Sequence, residues 1–228
     1  MRELRELVST ACRVLGAAEQ SDLIWGHVSA RDPSGRGAWM KAAGLGFAEV
    51  APDDVLLVSW DGEVLEGAGR RHAEYPIHTE VLRARADVGA VVHTHSPAAV
   101  ALGAIGAPLR PISHEANYFV PPDVPRFTRT GDLVLTAELG RAVAAALGEQ
   151  VAVLLVNHGV VVTGPDVPTA AVATVLLDRA CRIQLTAMAA GGWATWSSPE
   201  ESAAKREHCY PPALVQGAWD HLVRGLAR

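Results

Sequence analysis

The sequence predicts an α+β fold, read as a three-layer αβα domain, and three observations carry the prediction. Helical and strand-like stretches are mixed without the regular βαβ alternation of a parallel sheet. An Asp61-Gly62 dipeptide between the apolar runs VLLVS and EVLEG marks a hairpin, hence an antiparallel pair. The chain has 228 residues, 49% hydrophobic and 20% charged, enough for one large domain with a sizeable core. No linker, internal repeat or low-complexity stretch divides it, so residues 1–228 read as a single domain with a C-terminal tail over 191–228.

The elements follow in order. Leu4, Leu7, Val8, Cys12, Leu15 and Ala18 recur at helical spacing and predict an amphipathic opening helix over residues 2–20. DLIWGHVSARD alternates Ile24, Gly26 and Val28 against Trp25, His27 and Ser29, which reads as a strand. AWMK is a short strand and AAGLGFAEVAPDD a glycine-containing loop. EYPIHTEVLRARAD is helical, with Pro76 in its first turn and Ile77, Val81 and Leu82 on the buried side. GAVVHTH is a strand and SPAAVALGA a helix, with Ser96 as N-cap and Pro97 at the first position. Residues 104–130 are irregular and proline-rich, and a loop that long usually has a task. AELGRAVAAALGE is helical, VAVLLVNHGVVVTG is a strand pair or a bent strand, and a long helix capped by Asp166 runs to Gly191-Gly192. Trp193, Trp196 and Trp219 read as hydrophobic anchors of the tail or as subunit contacts.

Charge and composition exclude several functions. The net charge is −5, against the clustered basic face of nucleic-acid binders. GRRH, residues 69–72, is the one dense basic spot and suits a single small anion. Cys12, Cys181 and Cys209 are odd in number and far apart, without zinc-like spacing, so a reducing cytoplasm is expected. The opening segment lacks the apolar core of a signal peptide, and the longest apolar run is broken by Asn157 and His158, so no membrane span is expected.

The chemistry concentrates in histidines. In GAVVHTHSPAAVALG, His93 and His95 share one face of a strand, because side chains two apart point the same way. Parallel imidazoles suit a first-row metal, and two hydrogen-bonded core histidines are the competing reading. His158 lies between the apolar run Val151–Val156 and Gly159, placed for a cleft or for a structural hydrogen bond. Glu74 opens a helix, where an acid also complements the helix dipole. Together, three histidines and a carboxylate at element ends make a candidate mononuclear site with open positions, the pattern of a catalytic metal.

GHVSAR, MKAAGLGF, RRHAEYPIHTEVLRARADVGAVVHTHSPAAVAL and NHGVVVTG, followed by the long helix, resemble in that order the class II aldolase/adducin family, over about residues 5–190. The resemblance implies a three-layer αβα sandwich with a mostly antiparallel central sheet, and a homotetramer with active sites near subunit contacts. It implies that His93, His95 and His158 bind a metal, and that Glu74 is the catalytic acid/base and in some members a further ligand. Sugar-phosphate aldolases of the family carry an asparagine, a Thr-Gly or Ser-Gly loop and a Ser-Ser pair that hold the substrate phosphate. Here those positions read His27, Ala43-Gly44 and His72-Ala73. Hydroxyl and amide donors have become imidazole or methyl, which suits a carboxylate on a flat ring better than a phosphate. GHVSAR, MKAAG and PISH look like the branch of metal-dependent decarboxylases that act on dihydroxyphthalates or pyridine dicarboxylates.

On that resemblance His27, Lys41, Gly44, Arg71 and His72 are the candidate substrate contacts. Glu74 or His114 would deliver the proton that replaces CO2. Tyr210 would close over a neighbouring subunit's site, or only pack, and His78 would brace the site rather than ligate. One divalent ion per subunit is expected: manganese or magnesium as in the decarboxylases, zinc as in the aldolases, with iron or cobalt chemically acceptable. The alternatives are a sugar or sugar-phosphate aldolase or epimerase, a non-heme iron oxygenase on an aromatic acid, and a scaffold like the adducin head, which has lost the ligands retained here.

Overall fold

The computed structural model describes residues 2–227. Helix α1 (Arg2–Ala17) buries Val8, Ala11, Cys12, Val14 and Leu15, much as its apolar spacing predicts. Strands β1 (His27–Arg31), β2 (Gly37–Lys41), β3 (Val55–Ser59) and β4 (Val64–Glu66) form an antiparallel meander. The β3–β4 connection is the Asp61-Gly62 hairpin, with Gly62 at φ +92. Helix α2 (Tyr75–Ala84) leads to β5 (Ala90–Thr94), which pairs antiparallel with β1. Helix α3 (Pro97–Ala104) starts where expected, the Ser96 hydroxyl accepting from Ala99 N–H. Short helix α4 (His114–Asn117) and two-residue β6 (Arg126–Phe127) follow. Then come α5 (Ala137–Leu147), β7 (Ala152–Leu155), β8 (Gly159–Gly164) and long α6 (Val167–Ala189), capped by Asp166. Helices α7 (Pro199–Cys209) and α8 (Pro212–Gly225) close the chain.

The eight strands form one sheet in the order β4-β3-β2-β1-β5-β8-β7-β6. Every pairing is antiparallel except β6 with β7. Alternation assigns the two faces. Val28, Ala30, Trp39, Leu57, Ala90 and Val92 pack under α1, α6 and α8. Ala38, Val91, Val153, Leu155 and Val161 pack under α2 and α5, against Ile77, Val81, Leu82, Val143 and Leu147. This is the expected three-layer sandwich, and each fully buried Val or Leu contributes roughly 1.5–3 kcal/mol. Helix α5 approaches closely because it carries Gly140 there: a Cβ would meet Pro76 O at 2.5 Å. The first turn of α2 is thereby fixed in place.

Two local expectations are corrected, the strand over 22–26 and the irregularity of 104–130, and two others are filled in. The stretch 22–26 is a turn rather than strand: Trp25 N–H donates to Asp22 O at 3.0 Å and Leu23 sits at φ +48. Its alternating residues imitate a strand, but a left-handed residue breaks the pleat. The loop over 42–54 contains 3-10 turns at Phe47–Glu49 and Pro52–Asp54, closed by Glu49 on Gly46 N–H and Asp54 on Ala51 N–H. The region 104–130 is not wholly irregular, since it holds α4 and the parallel edge strand β6. The tail is a helix pair whose Trp219 is buried beside α1, whereas Trp196 is half-exposed beneath the Arg110 guanidinium.

Candidate metal centre

Four elements converge at one end of the sheet. His93 lies at the C-terminal end of β5, opposite His27 at the start of β1, so the two rings share a face 4.9 Å apart. His95 follows one residue beyond β5. His158 sits in the tight turn between β7 and β8, next to Asn157 at φ +62. Gly159 lets that turn press against the histidines, since a Cβ there would meet Thr94 O at 2.5 Å and His95 Cδ2 at 2.8 Å. Glu74 is the N-cap residue of α2, but its side chain makes no capping bond. It accepts instead from Val134 N–H at 2.7 Å and faces the histidines.

One ligand atom from each of Glu74, His93, His95 and His158 lies within 4.8 Å of the other three. Glu74 Oε2 is 3.8 Å from His93 Nε2, and Glu74 Oε1 is 3.6 Å from His158 Nε2. The donor chemistry fits a cation. His93 Nδ1 lies 2.9 Å from Val160 O, which can only accept, so the proton is on Nδ1 and Nε2 offers a lone pair. His95 Nδ1 lies 2.8 Å from Asp22 Oδ2, not aligned as a hydrogen bond, but the carboxylate's charge favours the proton on Nδ1 and leaves Nε2 as a donor to a metal. The two Nε2 atoms then face each other at 3.0 Å, both as acceptors, an arrangement that a positive ion between them resolves. Neither buried ring nitrogen of His158 has a hydrogen-bond partner, a cost that a metal bond removes. Three imidazoles and one carboxylate suit zinc, manganese, iron or cobalt.

Burial favours the neutral form of His27, His93 and His95, while the acid stays ionised. Burial, then the charge of neighbouring imidazoles, holds His27 well below the ordinary histidine range. Burial does the same to His93, and there it outweighs the opposing pull of Glu74. Burial alone would raise the Glu74 carboxyl, but the His158 and His93 rings and the Val134 N–H together bring it down to about 2.

A second cluster adjoins the first. His78 joins His27 Nδ1 at 2.6 Å and Ser29 Oγ at 2.6 Å, so it braces His27, whose Nε2 lies 4.0 Å from Glu74 Oε2. The His27 and His72 ring centroids are 4.4 Å apart. His72 Nε2 meets the fully buried Lys41 Nζ at 3.1 Å, and Lys41 also donates to Ile24 O at 3.3 Å. Burial lowers Lys41 to about 8; burial and then the Lys41 charge lower His72 to about 3. Gly44 lies in an open turn at φ +89, with nothing within 4 Å of where a Cβ would stand.

The other candidates lie elsewhere in the chain. Arg71 donates to Gly62 O and stacks over Tyr75 at 4.1 Å, so its guanidinium belongs to the hairpin turn. His114 meets Cys209 Sγ at 3.2 Å, between α4 and α7. Tyr210 packs edge-on against Tyr118 at 5.1 Å. Neither His114 nor Tyr210 contacts the metal cluster of its own chain. Sequence reading missed Asp22 and the Val134 N–H, which meet their partners across 73 and 60 positions, separations that leave no spacing signal. Asp22→Asn is expected to weaken metal affinity about 10–100-fold while the fold persists, as measured by competition with a fluorescent chelator and by circular dichroism.

The model of the Class II Aldolase and Adducin N-terminal domain matches residues 6–185. The chain belongs to this family. A 3,4-dihydroxyphthalate decarboxylase of Arthrobacter keyseri is 33% identical over 95% of this chain and 91% of its own. A 3,4-dihydroxyphthalate decarboxylase of Terrabacter sp. (strain DBF63) is 34% identical over 96% and 95%. An L-fuculose 1-phosphate aldolase of Glaciozyma antarctica PI12 superposes with a TM-score of 0.86 at 25% identity, covering 99% of this chain and 88% of that one. Decarboxylases and aldolases of the class II aldolase family are both lyases, and this chain is an enzyme of that class. Among the described residues no helix is long and apolar enough to cross a membrane.

Proposed function

We propose that this class II aldolase-family chain decarboxylates a hydroxylated aromatic carboxylic acid, of dihydroxyphthalate or pyridine-dicarboxylate type, with one divalent ion per subunit. The observation that carries the reading is the buried Lys41. Its ammonium meets His72, Ile24 O and the face of Phe47, and among the described residues no carboxylate forms an ion pair with it, Glu49 acting only at longer range. A buried cation without a counter-ion is costly, and a substrate carboxylate would supply one. The phosphate-holding amide is missing at His27 and the hydroxyls at Ala43 and His72-Ala73, which weighs against a sugar phosphate. The two dihydroxyphthalate decarboxylases that match almost end to end support the same choice.

Glu74, His93, His95 and His158 would hold the ion. When bound, it supplies a Lewis acid and a template for two adjacent substrate oxygens, stabilising the charge that develops as the carbon–carbon bond breaks. Lys41, with His72 and His27 beside it, orients the departing carboxylate. Glu74, the one carboxylate in the cluster, takes the hydroxyl proton and returns it to the ring carbon, so that no free aryl anion forms. His114 and Tyr210 would act only across a subunit contact, in the homotetramer we propose for this cytoplasmic enzyme. Manganese or magnesium fits the decarboxylase reading and zinc the aldolase one.

The test is a screen of metal-loaded protein against hydroxyphthalates, pyridine dicarboxylates and sugar phosphates, reading CO2 and aldehyde separately. CO2 without aldehyde supports the proposal; aldehyde from a sugar phosphate replaces it with an aldolase.

Lys41 gives a second prediction, with opposite effects on binding and stability. The folded chain holds its proton less tightly than the unfolded chain, about 8 against 10.5. That cost is therefore complete below pH 8 and fades as the pH rises from about 8 to 10.5. Lys41→Met is expected to stabilise the protein at pH 7 by on the order of 2–3 kcal/mol, with the gain vanishing above pH ~10.5. The same variant should raise KM for the aromatic acid about 10–100-fold, the worth of a charged hydrogen bond. Urea titrations at pH 7 and 10.5, with steady-state kinetics, check both.

A further inference from the structure

The mouth of the metal centre differs in character from its floor. A cavity of about 440 Å3 opens over His95 and His158, with apolar walls formed by Trp25, Pro97, Val100 and Leu133. Trp25 is 53% exposed, although a tryptophan is ordinarily mostly buried. Its backbone is nonetheless firmly held. Trp25 N–H closes the turn on Asp22 O at 3.0 Å, Ile24 O accepts from Lys41, and Asp22 Oδ2 lies 2.8 Å from His95 Nδ1. Within this turn Leu23 takes φ +48, a conformation that a residue with a side chain adopts rarely and only where its surroundings hold it. One turn thus braces a metal ligand with Asp22, takes a hydrogen bond from Lys41, and presents an indole at the opening.

We propose, building on the decarboxylase reading, that Trp25 is the stacking platform for the substrate ring. It would then determine specificity for planar hydroxylated aromatic acids. A ring held at the ion that His95 and His158 would help bind would extend into the cavity these residues share with Trp25. There its π-face meets the indole, and its edge meets Pro97, Val100 and Leu133. A sugar has no π-face, and its outward hydroxyls would lie unpaired against the same apolar walls. The turn accounts for the exposed indole, for the constraint on Leu23 and for the apolar mouth together.

The experiment measures binding of 2,3-dihydroxybenzoate, a flat ring with adjacent oxygens, to manganese-loaded protein by calorimetry. Glycolate, a small non-aromatic hydroxy acid, serves as the control. Trp25→Ala should weaken 2,3-dihydroxybenzoate about 10-fold or more, Trp25→Phe about 3-fold or less, and neither should move glycolate. Metal content and sedimentation mass should stay at the wild-type values. Unchanged 2,3-dihydroxybenzoate affinity in Trp25→Ala, or an equal loss for glycolate, overturns the proposal. A fall in assembly mass also overturns it, because the mouth would then be a contact with a second copy of the chain. Absence of CO2 release from the wild type refutes the decarboxylase reading alone, since the binding comparison needs no turnover.

Discussion

His93→Ala is expected to remove both the bound metal and the turnover. The ring is fully buried, Val160 O fixes its proton on Nδ1, and its Nε2 lies 3.0 Å from His95 Nε2 and 3.8 Å from Glu74 Oε2. It is the most deeply buried of the three candidate histidine ligands, and its ring contacts both others. Alanine leaves two imidazoles and a carboxylate, one donor short of the set. Loss of the Lewis acid removes the principal stabilisation of developing charge, so kcat/KM should fall by at least about 10^3-fold. Elemental analysis and CO2 release check the two losses together. Truncating a buried side chain also costs stability, so circular dichroism and a His93→Gln variant separate metal loss from unfolding. A folded variant with wild-type turnover would show that the cluster is structural.

Glu74→Gln should separate proton transfer from shape. Glutamine is nearly isosteric, and its carbonyl oxygen can still accept from Val134 N–H, the bond that aims Glu74 at 2.7 Å. What disappears is the charge and the ability to carry a proton. The expected result is a kcat about 10^2–10^4-fold lower, with KM nearly unchanged. Single-turnover CO2 release at saturating metal is the measurement, because it removes any weakening of ion binding from the comparison. A change in kcat below about 10-fold would move the proton to another group, with His114 of a neighbouring subunit next in line.

The sequence was legible where chemistry is local or periodic. Ser96 and Asp166 announce their helices because a cap bonds to residues three positions on. His93 and His95 announce a shared face because strand geometry fixes it. The family motifs supplied Glu74 and His158, whose spacing alone leaves a structural role open. What stayed hidden acts across distance or against propensity. Leucine is a poor sign of a left-handed turn, so the bend at Leu23 passed for strand. The parallel pairing of β6 with β7 rests on two residues inside a proline-rich stretch. Asp22 gains its meaning only beside His95, and Lys41 only beside His72. Arg71 looked like an anion ligand by charge, but hairpin carbonyl Gly62 O and the Tyr75 ring claim it.

The donors of the cluster come from the start of a helix, the end of a central strand and the turn entering the next one. An ion held by all four would work as a reversible cross-link, closing loops that the polypeptide otherwise closes through strand pairing, hydrogen bonds and packing. Ligation then counts toward folding as well as reaction: at an ion concentration 100 times Kd it adds about 2.7 kcal/mol to the folded state. The melting temperature would then be a gauge of ion supply, and a cell short of that ion would lose the polypeptide to proteolysis along with its activity.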